Sequence, residues 1–365
     1  MAGVAGGRGE QTVAVGCDRD TLFRVASITK PFTATLAFSL VDLDAPTGVW
    51  PDDVRVRHLL AHTSGFASEC GDLARFGEDD GALARLVAEL PSLRRFVGAD
   101  EAWSYANSGY WLAGLLCANA AGSTYEDALQ RHVLSPLGLE ATSFAEPEVA
   151  GTGRGSETSA HPRARRSSGG LTSRVTDLLR FGQAQLEDER TAVLRTVRAR
   201  PPGGVYGLGF FGERVDGTPV WGHGGSYGGF QSSLLLVPSH GAVFAGLTNS
   251  GRGAHALREI EDAFFEQTLG ARRRIVPSVE LTHDELESLS GTYANSELRA
   301  VVVPSGDGLV VDVTEKTTRI AETVSARPVG PRTFEIVGGD ADGSRFDFPL
   351  DRFVRIGSRL AERVA

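Results

Sequence analysis

The segment VASITKPFTATLAFSLV, residues 25–41, constrains the fold of this chain more than any other. It reads as a helix whose apolar residues fall all round rather than on one stripe, so the helix must be buried in a core. Pro31 suits its first turn, where the N–H that proline lacks has no partner anyway. The same helix carries Lys30, and a buried lysine needs a partner or a chemical purpose. The sequence therefore predicts a large domain packed around this helix.

The remaining chain up to residue 275 divides into a helical part and a β part. Residues 54–194 contain helical patterns such as DGALARLVAEL, separated by loops rich in Gly, Ser and Pro. Short apolar pieces in residues 12–24, and runs such as GFQSSLLLVP after residue 205, are typical of strands. We predict an α/β (α+β) fold for residues 1–275, in which an antiparallel sheet is flanked by helices and a helical lobe lies beside it.

Residues 276–365 are predicted to form a second, smaller domain. Runs such as RAVVVPSGDGLVVDV and RTFEIVGGD are short strands joined by turns of Gly, Asp and Pro. A small antiparallel β domain, a meander closed into a barrel, accounts for this pattern.

Composition and charge exclude several classes of partner. The 365 residues carry a formal net charge of −9, which argues against nucleic acid or an anionic membrane as a partner. No apolar stretch is long enough to span a bilayer. The first residues, MAGVAGGRGEQ, lack the basic start and apolar run of a signal peptide. We therefore expect a cytoplasmic protein, or an exported one if the natural N-terminus lies upstream.

The metal-binding residue types form no site pattern. Cys17, Cys70 and Cys117 have no metal-ligand spacing and are predicted to be free thiols. The eight histidines form no known zinc motif, so we expect no metal. Residues 151–170 form a polar, basic loop, which is either plain surface or a lid that contacts substrate.

Ser27 and Lys30 form the first candidate catalytic pair. Residues three apart share one face of a helix. A serine hydroxyl becomes a good nucleophile when a base removes its proton, and a lysine can act as that base if burial lowers its pKa. On a surface helix such a pair would not indicate catalysis, but this helix is predicted to be buried.

Two further segments carry candidate residues. In WSYANSGYWLAG, Tyr105 could act as a base, and Asn107 could hold both Lys30 and a substrate carbonyl. The alternative is structural: the tyrosine packs at the start of a helix and the asparagine caps that helix. In VWGHGGSYGGF, His223 and Gly225 end a strand along which a substrate backbone could pair; the alternative is a Gly-rich hairpin.

With these residues in place, the chain resembles the family of class C β-lactamases and D-alanyl-D-alanine peptidases, which also includes esterases and D-aminopeptidases. The family set of SxxK, YxN and K-T-G or H-x-G matches residues 27–30, 105–107 and 223–225. Segments such as VRHLLAHTSGF and SSGGLTSRVTDLLRFG extend the similarity over residues 20–269. The tail is similar, more weakly, to the lipocalin-like β domain of some members.

The resemblance implies a role for each matched residue. Ser27 would be the acylated nucleophile, Lys30 and Tyr105 would share the base role, and Asn107 would orient Lys30 and the substrate. His223 and Gly225 would bind substrate, and the N–H groups of Ser27 and Ser226 would form the oxyanion hole. The implied partner is a small-molecule or peptide substrate, with no metal or organic cofactor, and the oligomeric state stays open.

The chain departs from the family pattern in two places. His223 stands where the β-lactamases have lysine, which favours ester or amide hydrolysis over recognition of a substrate carboxylate. Only a short Gly-rich piece precedes Asp20, where members usually have a helix and a hairpin, so we expect either a misplaced start codon or a truncated sheet edge.

Three functions fit these residues. The first is a serine hydrolase that cleaves an ester, amide or peptide bond through an acyl-enzyme on Ser27. The second is an acyltransferase or peptide cyclase that passes the acyl group to an amine or alcohol instead of water. The third is a non-catalytic binding protein on the same scaffold.

Overall fold

A computed structural model describes residues 1–7, 9–69, 71–153, 161–316, 321–339 and 341–364. Its larger sheet has seven strands in the order β2-β1-β9-β8-β7-β6-β5, and every pairing is antiparallel. The strands are β1 (Ala2–Gly6), β2 (Gly9–Val13), β5 (Val205–Tyr206), β6 (Phe211–Val215), β7 (Thr218–Tyr227), β8 (Phe230–Val237) and β9 (Ala242–Thr248). Two short strands, β3 (Phe23–Arg24) and β4 (Thr172–Ser173), pair separately.

Helices lie on both faces of this sheet, others form the helical lobe, and a short one packs on the C-terminal barrel. The helices of the described residues are α1 (Thr29–Leu40), α2 (Val56–Leu60), α3 (Ala82–Glu89), α4 (Asn107–Ala121), α5 (Tyr125–Leu129), α6 (Arg166–Gly169), α7 (Val175–Glu187), α8 (Gly253–Leu269) and α9 (His283–Ser288). Alternate residues of β9 face opposite sides: Val243 lies in the main core with α1 and α7, whereas Phe244 packs with residues of α8. The predicted sheet with flanking helices and a helical lobe is confirmed.

The predicted core helix begins later than its apolar pattern indicated. Residues Ala26–Ile28 form a 3₁₀ turn, and α1 starts at Thr29. Ala26 has a φ of 45°, a left-handed conformation that interrupts the helix. Beyond this turn the prediction of burial is confirmed, because Phe32 is fully buried and stacks on Phe181 of α7, with ring centres 3.8 Å apart.

The N-terminal edge of the sheet corrects one expectation. Instead of a truncated edge, β1 and β2 form a hairpin that extends the sheet, with Ala2 of β1 opposite Gly246 of β9. The sequence analysis did not predict this hairpin because the segment is rich in glycine, which has a low strand propensity. The thiols of Cys17 and Cys117 are free, as predicted, and Cys70 lies outside the described residues.

The C-terminal residues form the predicted closed meander. The barrel consists of β10 (Gly291–Ala294), β11 (Leu298–Ser305), β12 (Gly308–Glu315), β13 (Ala321–Gly330), β14 (Thr333–Val337), β15 (Arg345–Leu350), β16 (Phe353–Ile356) and β17 (Arg359–Arg363). Phe334, Phe346 and Phe348 pack in its interior. Because α8 ends at Leu269 and β10 begins at Gly291, we propose the domain boundary near residue 275.

A buried arginine of the barrel, Arg355, joins it to the helical lobe. Arg355 of β16 is 3% exposed, pairs with Asp347 of β15 and donates a hydrogen bond of 2.9 Å to the carbonyl of Trp103. Phe353 and Leu360 pack beside it against Phe96 of the lobe. This interface fixes the barrel next to the segment that carries Tyr105.

We predict that Arg355→Ala lowers the free energy of unfolding by roughly 3–5 kcal/mol, because it leaves the carboxylate of Asp347 without its partner. Urea unfolding measures the change. The control is Arg299→Ala on the exposed surface of the same barrel, expected to change it by less than about 0.5 kcal/mol. Equal effects of the two variants would contradict the role given to Arg355.

Candidate active site

The hydroxyl of Ser27 is the point where two predicted segments meet. Ser27 lies in the 3₁₀ turn before α1. Its Oγ is 3.2 Å from Nζ of Lys30 and accepts a hydrogen bond of 3.0 Å from the hydroxyl of Tyr105. The sequence separation between Ser27 and Tyr105 is 78 residues, so the fold and not the local helix brings them together.

Lys30 is fully buried and has few acceptors. Besides Ser27 Oγ, its Nζ donates to the carbonyl of Ser168, at 2.7 Å. The other near neighbours are aromatic: Nζ lies 4.7 Å from the ring centre of Tyr105 and 5.4 Å from that of Tyr110. Burial, and secondarily the charge of Arg165, holds the pKa of Lys30 well below its usual range.

Tyr105 is held by the barrel as well as by the lobe. Its backbone N–H donates to the carbonyl of Ser358, at 2.9 Å, in the two-residue turn between β16 and β17. The guanidinium of Arg359, the first residue of β17, lies 5.6 Å from the centre of the tyrosine ring. Burial nonetheless raises the pKa of the phenol above its usual value, so the hydroxyl keeps its proton at neutral pH.

Asn107 does not make the contact that the family resemblance implies. It is the first residue of α4, and its side-chain amide donates to Glu69, while its backbone N–H donates to Ser68 Oγ at 3.0 Å. No hydrogen bond joins Asn107 to Lys30, although both residues are described. The carbonyl of Ser168 occupies that role instead.

His223 is neutral, and both of its ring nitrogens are engaged. Nδ1 lies 2.6 Å from the carbonyl of Gly224 and must therefore donate, which leaves Nε2 to accept from the hydroxyl of Tyr206, at 3.2 Å. Burial, with a smaller contribution from Lys30, lowers the pKa of His223 to about 3. His223 thus carries no positive charge at neutral pH.

The edge of β7 is open beside Ser27. β7 pairs with β8 along its length to Tyr227, but its pairing with β6 stops at Gly222, which leaves the stretch that contains Gly225 and Ser226 unpaired on that side. A Cβ atom on Gly225 would lie 2.2 Å from the carbonyl oxygen of Val25. Glycine therefore permits β7 to approach the turn that carries Ser27.

A cavity of about 710 Å³ opens onto Ser27 and Tyr105. The β7 edge and the barrel residues Gly357, Ser358 and Arg359 both line it. Arg359 forms ion pairs, with Nε 3.1 Å from a carboxylate oxygen of Glu297 and Nη2 4.0 Å from one of Glu69. Glu69, Ser168 and Arg359 were missed by the sequence analysis, because nothing local to them marks proximity to Ser27.

Metal sites and membrane spans were also sought. Among the described residues, no group of three or more His, Cys, Asp or Glu side chains could hold a metal ion. In the same part of the chain, no helix combines the length and apolarity needed to cross a bilayer. Of the predicted loop 151–170, residues 154–160 lie outside the described structure, and His161 contacts the ring of Tyr227, with ring centres 5.0 Å apart.

Comparison with known proteins gives consistent matches. A model of the Beta-lactamase family matches residues 2–266. Penicillin-binding protein 4 of Amycolatopsis lactamdurans is 28% identical over 330 residues, which cover 76% of this chain and 86% of that protein. Esterase EstB of Burkholderia gladioli is 33% identical over 160 residues, which cover 35% of this chain and 40% of the esterase.

Solved structures agree on the fold. SurE with D-Leu matches 100% of this chain and 94% of that chain, with a TM-score of 0.78 and 22% identity. D-amino acid amidase from Ochrobactrum anthropi SV3 matches 73% of this chain and 94% of its own, with a TM-score of 0.64 and 24% identity. At such low identity these two likenesses establish the fold alone.

We predict that Gly225→Ala lowers the free energy of unfolding by roughly 1–3 kcal/mol, because the added methyl group pushes β7 away from Val25. Gly224→Ala is the matched control: its Cβ would meet only the carbonyl oxygen of Ser232, at 3.6 Å, and should cost less than about 1 kcal/mol. Urea unfolding compares them. A Gly225→Ala protein as stable as the control would disprove the close approach.

Proposed function

Because this chain belongs to the Beta-lactamase family, we propose that it is a serine hydrolase that cleaves an ester, amide or peptide bond through an acyl-enzyme on Ser27. The observation that carries this proposal is the hydroxyl of Ser27, which lies 3.2 Å from the amine of Lys30 and 3.0 Å from the phenol of Tyr105. A hydroxyl between a proton acceptor and a proton donor is suited to nucleophilic attack.

Lys30 is the base in this proposal. Its Nζ lies 3.2 Å from Ser27 Oγ and 2.7 Å from the carbonyl oxygen of Ser168. A neutral amine fits them: it donates to the carbonyl and accepts the proton of Ser27 through its lone pair. The lowered pKa of Lys30 supports the same protonation state.

Tyr105 is the proton donor. As Ser27 Oγ attacks the carbonyl carbon, its proton passes to Lys30; as the tetrahedral intermediate collapses, the phenol protonates the leaving group, and the Lys30 ammonium restores the phenol proton. Water then attacks the acyl carbon and releases Ser27 by the reverse proton path. The raised pKa of Tyr105 supports a donor over a phenolate base.

The substrate would lie along the open edge of β7. Its carbonyl oxygen would be bound by the N–H groups of Ser27 and Ser226, and Asn107 would contact a substrate amide. His223 is neutral and offers no free donor, so the strand supplies no cation for a substrate carboxylate. This supports an ester or amide as the substrate, and the presence of an esterase among the relatives is in line with it.

Labelling with a fluorophosphonate tests the nucleophile. We expect one adduct on Ser27 by peptide mass spectrometry, and Ser27→Ala should lose both the adduct and turnover of p-nitrophenyl esters by several orders of magnitude with an unchanged melting temperature. Ser39→Ala, at an exposed serine of α1, should keep both the adduct and the turnover. Hydrolysis retained by Ser27→Ala would refute the proposal.

The pH dependence of turnover tests the base. We expect kcat/KM to rise with pH through the lowered pKa of Lys30, since only the neutral amine accepts a proton, and to fall about tenfold per pH unit below that pKa. Lys30→Arg keeps a cation that cannot deprotonate and should lose about 10²–10⁴-fold in kcat. An active Lys30→Arg protein would mean that the lysine acts as a cation instead.

A further inference from the structure

His62 is a buried residue next to the site that the proposed reaction does not use. It follows α2, is 1% exposed and has a φ of 58°, in the left-handed region. Histidine tolerates this conformation better than branched or bulky residues do. Its hydrogen bonds join it to the segment that carries Tyr105.

His62 accepts two hydrogen bonds, one from each neighbour of Tyr105. The N–H of Ser104 donates to the carbonyl of His62 at 2.9 Å, and the N–H of Ala106 donates to Nδ1 of its ring at 3.0 Å. One residue therefore holds the backbone immediately before and immediately after the tyrosine. The orientation of the phenol toward Ser27 depends on this short stretch.

The ring of His62 also supports the ring of Tyr105. The two ring centres are 4.2 Å apart, with planes inclined by 37°. On its other sides the imidazole contacts Tyr110 and Tyr206, with centres 5.2 and 5.0 Å away, and the edge of Trp103. The phenol of Tyr105 is thus backed by a closely packed aromatic group.

The hydrogen bonding of the imidazole indicates why histidine occupies this position. Because Nδ1 accepts from Ala106, the neutral ring carries its proton on Nε2, and this buried atom has no partner among the described residues. An unsatisfied buried N–H costs free energy. A phenylalanine would avoid that cost but would lose the acceptor for Ala106, so the acceptor is the feature that histidine supplies.

From this geometry we propose that His62 is a positioning residue, which holds the Tyr105 hydroxyl at hydrogen-bonding distance from Ser27. The inference rests on the proposed function, in which Tyr105 protonates the leaving group. Loss of the Nδ1 acceptor would let the 104–106 segment shift and would misalign that proton transfer, while the contact between Ser27 and Lys30 stays intact.

Two substitutions distinguish the effect of the Nδ1 acceptor from the effect of the aromatic ring. His62→Asn keeps an acceptor for Ala106 and tolerates a positive φ, whereas His62→Phe keeps the aromatic packing without an acceptor. We expect kcat of His62→Phe to fall about 10–100-fold for alkyl esters and amides, with little change in KM, but only slightly for p-nitrophenyl esters, whose leaving group needs no proton. His62→Asn should stay within about threefold of wild type for both substrates.

His58→Phe is the matched control. His58 lies one turn earlier and its Nδ1 also accepts a backbone N–H, that of Arg55, at 3.0 Å, away from the site. The His58→Phe substitution should lower the melting temperature, and any change in kcat should be the same for substrates with good and poor leaving groups. Tyr105→Phe should reproduce the leaving-group pattern of His62→Phe, and the double variant should lose little more than either single one.

Crystal structures of the variants provide a readout that does not need activity. The distance between Tyr105 Oη and Ser27 Oγ should stay near 3.0 Å in His62→Asn and lengthen in His62→Phe. An unchanged distance in His62→Phe, or equal loss with good and poor leaving groups, would overturn the inference. Failure of the proposed function looks different: the wild-type protein would then neither hydrolyse esters nor take up the fluorophosphonate.

Discussion

The burial of one amine beside one hydroxyl is the constraint on which the site depends. Lys30 lies inside a helix that is itself enclosed by the sheet and the helical lobe, so it cannot be solvated as a cation without a large cost. The same burial that α1 needs for packing therefore lowers the pKa of Lys30, which is the direction that the proposed chemistry needs.

The sequence alone predicts the arrangement of residues that lie close together in the chain, but not of residues that are distant in the chain and meet in the fold. The spacing of Ser27 and Lys30 on a buried helix, and the alternation of apolar residues after residue 205, predict their local structure directly. Ser168 of α6 and Arg359 of β17 contribute a carbonyl and a guanidinium to the same site from distant parts of the sequence. No periodicity marks a backbone carbonyl as a ligand of a lysine.

The sequence pattern also failed to predict the local conformation of two segments. The 3₁₀ turn at Ala26–Ile28 has the same apolar composition as the helix that follows, and only the positive φ of Ala26 separates them. The hairpin of β1 and β2 is poor in β-branched residues and is stabilised by its pairing with β9, which a propensity argument does not see. In both cases tertiary contacts decide between conformations that the residues themselves leave nearly equal.

The two-residue turn between β16 and β17 makes the barrel part of the wall of the cavity. Gly357 and Ser358 both have positive φ, as tight hairpin turns of this length require, so the strands on either side fix where the turn projects. Gly357, Ser358 and Arg359 line the cavity beside Ser27, and the carbonyl of Ser358 accepts the N–H of Tyr105. A substitution in this turn would therefore alter the shape and charge of the cavity from the barrel side, without a change in α1 or in the helical lobe.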